Sequence, residues 1–275
     1  MLKPAVTYED LVAGFAWDIP ARYNMGVDVC DRWAATDPDR PAILEIGRDG
    51  AIETTTFGQL REASNRLAGA LRGRGVGPGD RVAVLLPQSA AVVVAHAAAY
   101  KLGAIALPLA GLFGPDALRY RLADSGARAL ITDAAGLAKV ADLRSGLPGL
   151  GLVVSLDGPG EGAVDYAALV ATAAPGFRAV DTRADEPALM IYTSGTTGPA
   201  KGALHAHRVL PGHLPGWAMM HDFPPRPGDR MWTPSDWAWA GGLLNVLMPS
   251  LHHGLTVVAR PSARFEPEGA FRLIA

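Results

Sequence analysis

Residues 188–202 read Ala-Leu-Met-Ile-Tyr-Thr-Ser-Gly-Thr-Thr-Gly-Pro-Ala-Lys-Gly, an apolar run that passes directly into glycine and hydroxyl residues. The apolar part, Ala188–Ile191, is typical of a β-strand buried on both faces. Ligands of open α/β folds bind at the carboxyl ends of the strands. The polar segment that follows is therefore expected at a ligand-binding edge of a sheet.

The composition of that segment indicates a phosphate-binding loop. Gly195, Gly198 and Gly202 allow backbone conformations that other residues avoid, so that amide N–H groups can face an anion. Lys201 adds a full charge, and at about 4 Å and an effective dielectric of ~20 one such pair is worth roughly 4 kcal/mol before desolvation. The predicted phosphate-binding residues are Thr193, Ser194, Gly195, Thr196, Thr197, Gly198 and Lys201.

Two alternatives account less well for the segment. Serine, threonine and glycine clusters are often flexible linkers, but a linker rarely follows a buried strand directly and ends in Lys-Gly. The P-loop of kinases and other NTPases requires G-x-x-x-x-G-K-[S/T]. Here Pro199 and Ala200 separate Gly198 from Lys201, and Gly202 occupies the position of the metal-binding hydroxyl.

Strands and helices alternate along the rest of the chain. A hairpin is expected from Ala42–Ile46 and Ile52–Thr56 around Asp49-Gly50, and Thr56 with Gln59 fits a capping box that opens a helix. Further strands are expected at 81–86, 104–109, 127–132, 152–155, 187–192, 230–233 and 256–259, and further helices at 89–102, 115–125, 207–220 and 238–251. This order predicts an α/β class with parallel sheets flanked by helices.

The chain length suggests more than one structural unit. At roughly 100–200 residues per domain, 275 residues allow one large domain or two small ones. We expect a first α/β lobe over about 1–160, a Gly-, Pro- and Asp-rich surface linker over about 161–186, and the start of a second lobe over about 187–275.

Composition excludes several function classes. Hydrophobic residues make up 49% of the chain, so a sizeable core is expected, and a net charge of -2 gives no reason to expect nucleic acid as a partner. Cys30 is the single cysteine, which fits a reducing cytoplasm and a small buried side chain rather than a nucleophile. His96 and Lys101 interrupt the apolar stretch 89–113, so no membrane span is expected.

The eleven residues Tyr192–Gly202 resemble the signature of the AMP-forming acyl-CoA synthetase and adenylate-forming superfamily. Other stretches resemble its early blocks or its acetyl- and medium-chain acyl-CoA synthetase branch, namely 56–60, 79–83, 101–109, 113–117, 122–127 and 232–239. The resemblance implies two steps. A carboxylate attacks the α-phosphorus of ATP to give an acyl-adenylate and pyrophosphate, and the thiol of coenzyme A then displaces AMP.

The resemblance also implies roles for residues. The loop from Thr193 to Lys201 would hold the β- and γ-phosphates, with Mg²⁺ bridging phosphate oxygens near Thr196. The small-molecule partners would be a short- or medium-chain or aromatic carboxylic acid, ATP and coenzyme A. The family's acyl-binding helix corresponds to Trp237, Trp239, Gly241 and Gly242, for which plain core packing is equally consistent.

The remaining polar clusters are not expected to act in catalysis. His207 is expected to start and orient a helix, and His205 is not expected to be a base. His252 and His253 fit a helix end rather than a metal site. Four charged residues, Asp116, Arg119, Arg121 and Asp124, are expected to form a solvated helix face.

The sequence resembles only the first part of the family. The family's adenine, ribose and hinge motifs and its C-terminal domain with a catalytic lysine find no match before Ala275, so no residue here is assigned a catalytic role. We expect a fragment that does not complete adenylation alone. An adenylation enzyme that loads a carrier protein and a non-catalytic nucleotide-binding remnant stay as alternatives, and the coding sequence after Ala275 would distinguish a fragment from a remnant.

Overall fold

The computed structural model describes residues 2–47, 49–160, 162–194, 198–261 and 265–275. The strands are β1 Pro41–Ile46, β2 Ile52–Thr56, β3 Arg81–Leu85, β4 Ile105–Pro108, β5 Ala129–Thr132, β6 Leu152–Ser155, β7 Val164–Asp165, β8 Pro187–Thr193, β9 Lys201–Ala206, β10 Arg230–Met231 and β11 Thr256–Ala259. The helices are α1 Tyr8–Ala13, α2 Arg32–Thr36, α3 Phe57–Gly73, α4 Ala90–Lys101, α5 Pro115–Asp124, α6 Ala134–Val140, α7 Tyr166–Ala171, α8 Val209–Met220, α9 Ala240–Gly242, α10 Met248–His252 and α11 Pro267–Ile274. Two π-helical turns, Val27–Asp31 and Leu243–Leu247, run into α2 and α10, and a 3₁₀ turn spans Ala141–Gly146.

A seven-stranded sheet with the order β7-β6-β5-β3-β4-β8-β9 forms the larger layer. All neighbouring strands in it are parallel except β8 and β9, which are antiparallel. Its central strands β3, β4 and β5 are almost entirely buried, as continuous apolar runs predict. The predicted α/β class with parallel sheets flanked by helices is confirmed.

A second sheet has the order β10-β11-β1-β2. The predicted hairpin is present, with β1 and β2 antiparallel and Gly50 at φ +83° in the turn, a conformation that favours glycine. The capping box of α3 is also present. The Thr56 hydroxyl accepts a hydrogen bond from the Gln59 N–H at 3.2 Å, and the Gln59 side chain accepts one from the Thr56 N–H at 2.8 Å.

The structure differs from the sequence-based expectation in the segment 161–186. Part of this predicted linker forms β7 and α7, and Leu169 of α7 is buried in the core beside α3. Strands on both sides of the segment share one sheet, because β4 pairs with β8. The Gly- and Pro-rich composition of this segment did not indicate the short helix α7, whose apolar residues pack against α3, a helix far away in the sequence. The division into two lobes stays a prediction.

Gln88 connects the two sheets. It follows β3, and its side-chain amide donates to the Ser235 carbonyl at 2.7 Å and to the Thr233 carbonyl at 3.0 Å, both after β10. Its amide oxygen accepts from the N–H of Arg260, just after β11, at 3.2 Å. The carboxyl ends of the two sheets are therefore joined through one buried side chain.

Lys101 is fully buried at the end of α4. Its ammonium group donates to the Ser64 hydroxyl at 2.8 Å and to the Asn65 side-chain oxygen at 2.9 Å, and it lies 2.5 Å from a carboxylate oxygen of Asp31. The buried ammonium charge of Lys101 is therefore paired with a carboxylate. Cys30 lies beside this cluster, and burial raises the pKa of its thiol to about 12, which keeps it protonated and unreactive.

Two buried histidines should make the stability of the fold sensitive to acid. His96 packs against Tyr100, and His207 accepts a hydrogen bond from the Met25 N–H at 3.1 Å. Burial lowers the pKa of each histidine to about 4, whereas an unfolded histidine titrates near ~6.5. Between these values the unfolded chain binds more protons, so stability is complete above pH ~6.5 and falls as the pH drops towards 4.

We therefore expect the free energy of unfolding, measured in urea, to fall between pH 7.5 and pH 5. Each buried histidine contributes at most about 2 kcal/mol to this loss. A His207→Gln variant keeps an acceptor for the Met25 N–H but does not titrate, so its loss over the same range should be visibly smaller. A free energy of unfolding that is constant from pH 7.5 to pH 5 would contradict the prediction.

Candidate active site

The predicted phosphate loop connects β8 to β9. Thr193, the last residue of β8, pairs with Lys201, the first residue of β9, and Tyr192 pairs with Gly202. Two predicted phosphate-binding residues therefore face each other across the base of a hairpin. Three others, Gly195, Thr196 and Thr197, lie outside the described residues, as does the predicted Mg²⁺ contact at Thr196.

The described side chains of the loop are available to a ligand. Thr193, Ser194 and Lys201 are exposed, and none of the three side chains forms a hydrogen bond or ion pair with another described residue. Gly198 has φ +77°, and a Cβ placed there would meet nothing within 4 Å. Glycine is therefore required at this position by backbone conformation rather than by lack of space.

The hairpin lies beside the carboxyl ends of a parallel sheet. The chain passes from β3 to β4 on one side, through α4, and then through α5 to β5 on the other side of β3. Such a reversal of strand order opens a crevice at the carboxyl ends, where α/β folds bind ligands. A cavity of about 430 Å³ lies there, lined among others by Leu85, Pro87, Gly111, Asp133, Gly136 and Asp236. Its size suits part of a small molecule.

Asp236 lines one side of this cavity. Burial raises the pKa of its carboxyl group, and hydrogen bonds from the backbone N–H groups of Ala238 and Gly111 partly offset that rise. The carbonyl of Gly111 accepts a hydrogen bond from the ammonium group of Lys139. The loop after β4 is thus attached both to α6 and to the segment that carries the tryptophans.

The four residues of the predicted acyl site differ in their surroundings. Trp237 is 1% exposed and packs in the main core, whereas Trp239 is 37% exposed and its ring lies edge-on to Phe113 at 5.6 Å. A Cβ at Gly242 would lie 2.5 Å from the Asp236 carbonyl, so glycine permits a close backbone approach there. A Cβ at Gly241 would meet nothing within 4 Å, which leaves room for a ligand.

The histidines near the loop have structural partners. The Nδ1 atom of His207 accepts a hydrogen bond from the backbone N–H of Met25, and His205 lies on β9. His252 Nδ1 lies 2.6 Å from an Asp28 carboxylate oxygen, and His253 stacks on Trp217 with ring centroids 4.8 Å apart. Within the described residues, no group of three or more His, Cys, Asp or Glu side chains is placed to hold a metal ion.

On the predicted solvated face of α5, Asp116, Arg119 and Asp124 are exposed as expected, whereas Arg121 is half-buried. The Asp124 carboxylate accepts a hydrogen bond from the Tyr192 hydroxyl at 2.5 Å, and the Arg121 guanidinium lies over the Phe113 ring at 4.0 Å. Tyr192 is 68 residues from Asp124, so this partner leaves no local signal in the sequence. The sequence also gave no indication of Gln88 as an intersheet contact or of strand β9 directly after the loop.

A family model described as AMP-binding enzyme matches residues 30–275. This chain belongs to the AMP-binding enzyme family. The match covers the glycine hairpin, the cavity at β3 and β5, and the segment of Trp237 and Trp239. The predicted resemblance to the adenylate-forming superfamily is therefore confirmed.

Relatives of this AMP-binding chain include several CoA ligases. Acetyl-coenzyme A synthetase of Novosphingobium aromaticivorans is 32% identical over 89% of this chain and 40% of its own length. The 3-hydroxybenzoate–CoA/4-hydroxybenzoate–CoA ligase of Thauera aromatica is 31% identical over 81% of this chain and 43% of its own length. The chain therefore spans less than half the length of these relatives.

Solved structures agree. The acyl-CoA synthetase of Brucella canis superimposes with a TM-score of 0.84 at 30% identity, covering 97% of this chain and 50% of that one. An anthranilate–CoA ligase in complex with anthranoyl-AMP gives a TM-score of 0.79 at 28% identity, covering 90% of this chain and 46% of that one. In the described part of this AMP-binding chain, no helix is long and apolar enough to cross a membrane.

Proposed function

We propose that this chain supplies the phosphate-binding half of an AMP-forming acid–CoA ligase. The observation that carries the proposal is the β8–β9 hairpin, which presents Lys201 and exposed hydroxyl groups at the ligand-binding edge of the sheet. Family membership supports the same chemistry, because the adenylate-forming enzymes use ATP, and their CoA ligases use coenzyme A.

The residues of the hairpin would act by position and charge. A substrate carboxylate oxygen attacks the α-phosphorus of ATP, the bond to the bridging oxygen breaks, and pyrophosphate leaves with the electron pair. Lys201 and the loop hydroxyls and amides would hold the β- and γ-phosphates in line and neutralise the leaving charge. The coenzyme A thiol then attacks the acyl carbon and releases AMP.

The described residues fit a Mg²⁺ ion that binds chiefly through ATP. Protein Mg²⁺ sites in nucleotide enzymes commonly use few side chains and several phosphate oxygens, and the exposed hydroxyls of Thr193 and Ser194 are hard oxygen ligands. Such an ion would supply further charge neutralisation at the phosphates. The predicted contact from Thr196 is part of this proposal.

Ligand binding tests the function directly. We expect the purified chain to bind ATP and pyrophosphate measurably in titration calorimetry, and adenosine far more weakly, because the described groups of the site recognise phosphate. Equal affinity for ATP and adenosine, or no binding of either ATP or pyrophosphate, would contradict the proposal.

The cytoplasm is the proposed location of the protein.

Trp239 and Gly241 are proposed to form part of the acid site. Because Trp239 is partly exposed against Phe113 while Trp237 is buried in the core, replacement of Trp239 should change acid preference with little effect on folding. We expect Trp239→Ala to alter the relative affinities for an aromatic and a straight-chain acid several-fold, as measured by ligand-induced shifts of the unfolding midpoint with ATP present.

The control for that variant is Trp17→Ala, which removes an exposed tryptophan from the N-terminal segment. It should leave both acid and ATP binding unchanged. If Trp239→Ala instead weakens ATP and all acids equally, the tryptophan contributes packing and not acid recognition.

A second candidate function is adenylation that loads a carrier protein. It is favoured by a nonribosomal peptide synthetase of Salinispora arenicola, described as probable and non-canonical, which is 32% identical over 84% of this chain and 3% of its own length. Thioester formation that requires a carrier protein and ignores coenzyme A would select this alternative. ATP binding that leads to no adenylate in any assembled form of the protein would favour a non-catalytic nucleotide-binding role.

A further inference from the structure

Helix α5 contacts the chain on both sides of the loop. The Tyr120 hydroxyl donates a hydrogen bond at 2.9 Å to the carbonyl of Ala200, the residue before Lys201. The Tyr192 hydroxyl, one residue before Thr193, donates at 2.5 Å to the Asp124 carboxylate. Tyr120 and Asp124 are four residues apart and therefore lie on the same face of the helix. That face holds one residue at each end of the hairpin loop.

Ring contacts reinforce these two hydrogen bonds. The rings of Tyr120 and Tyr192 meet edge-on with centroids 6.2 Å apart, and the guanidinium of Arg121 lies 5.6 Å from the Tyr192 ring centroid. Tyr192 is 5% exposed, and burial together with the Asp124 hydrogen bond raises the pKa of its phenol. Tyr192 is thus a fixed hydrogen-bond donor at neutral pH, and a bond to an ionised acceptor is stronger than a neutral one.

We propose that α5 positions the phosphate-binding hairpin, with Tyr120 fixing the β9 side and Asp124 fixing the β8 side. The identity of the ligand rests on the function proposed above, but the positioning itself does not. Loop amides aimed at phosphate act best when they need no rearrangement on binding. Without α5, the ends of β8 and β9 would open more often, and part of the binding energy would be spent on closing them.

The same helix links the loop to the candidate acid site. Arg121 contacts the ring of Phe113 as well as that of Tyr192, and Phe113 in turn packs against Trp239. A series of side-chain contacts therefore runs from Tyr192 through Arg121 and Phe113 to Trp239.

The test uses hydrogen exchange and ATP binding on the same variants. In Tyr120→Phe and Asp124→Ala, amide exchange of the paired residues around Thr193 and Lys201 should rise about threefold to tenfold, which is the worth of one hydrogen bond. The dissociation constant for ATP should rise by a similar factor. Asp124→Asn keeps an acceptor oxygen for Tyr192 and should restore most of both properties.

Tyr8→Phe and Asp18→Ala are matched controls in the exposed N-terminal segment, and both should behave as the parent chain. A merely structural role for α5 would lower the urea midpoint and speed exchange across the whole sheet equally, and that result would overturn the proposal. Unchanged amide exchange at the hairpin would also overturn the proposal, as would an Asp124→Asn variant that behaves like Asp124→Ala. If the parent chain fails to bind ATP, the proposed function fails, whereas the exchange results still decide the role of α5.

Discussion

Replacing Lys201 with alanine should raise the dissociation constant for ATP by about tenfold to a hundredfold, since hydrogen bonds to charged groups are worth about 1.5–3 kcal/mol. Lys201 begins β9 directly opposite Thr193, and its side chain is exposed. Its ammonium group is therefore available to phosphate, and its loss removes a full charge without disturbing the core. Titration calorimetry with ATP, pyrophosphate and adenosine measures the effect.

The pattern across ligands and variants decides the role of Lys201. ATP and pyrophosphate should both weaken, while adenosine binding stays unchanged, because the lysine is assigned to the phosphates alone. Lys201→Arg should retain much of the affinity, and Lys3→Ala, which removes an exposed charge near the N-terminus, should have no effect. Unchanged ATP affinity in Lys201→Ala would remove this residue from the site.

Lys101→Met should destabilise the fold by up to about 3 kcal/mol, because its removal leaves the carboxylate of Asp31, whose side chain is 23% exposed, without a compensating charge. The methionine is close to lysine in size, so the loss reports mainly on polar contacts. Lys101 is fully buried, and its neighbours Asp31, Ser64 and Asn65 would lose their cation. The free energy of unfolding in urea is the measurement.

An exposed ion pair provides the control. Arg66 and Glu62 are four residues apart on α3, with side chains 61% and 65% exposed, and Arg66→Met should cost less than about 1 kcal/mol. Asp31→Asn combined with Lys101→Met should recover part of the loss, because the uncompensated charge is then gone. Equal losses in Lys101→Met and Arg66→Met would mean that burial of Lys101 confers no special stability.

Local sequence patterns predicted much of the fold. The Asp49-Gly50 turn, the Thr56–Gln59 capping box and the continuous apolar run at β3 depend on neighbours within a few residues. The glycine segment likewise predicted the family. Each of these features is determined by backbone chemistry that a short window of sequence contains.

Features that depend on distant contacts could not be predicted in the same way. Asp124 lies on a helix face with the composition of a solvated surface. Nothing near it in the sequence indicates its hydrogen-bond partner Tyr192, which is 68 residues away. Strand β9 reads as a weak mixture of apolar and polar residues, and it becomes a strand because β8 supplies its hydrogen bonds. Trp237 and Trp239 look equivalent in the sequence, but Trp237 is buried and Trp239 is partly exposed.

The Gln88 contact has a consequence for tolerated substitutions. A primary amide can donate two hydrogen bonds and accept others at the same time, and Gln88 uses both capacities towards Thr233, Ser235 and Arg260. Glutamate, of nearly identical shape, would place a negative charge against two carbonyl oxygens, and a leucine would leave all three backbone groups without this partner. A single side-chain amide thus connects the two sheets, and its three hydrogen bonds limit how far the spacing between the sheets can change.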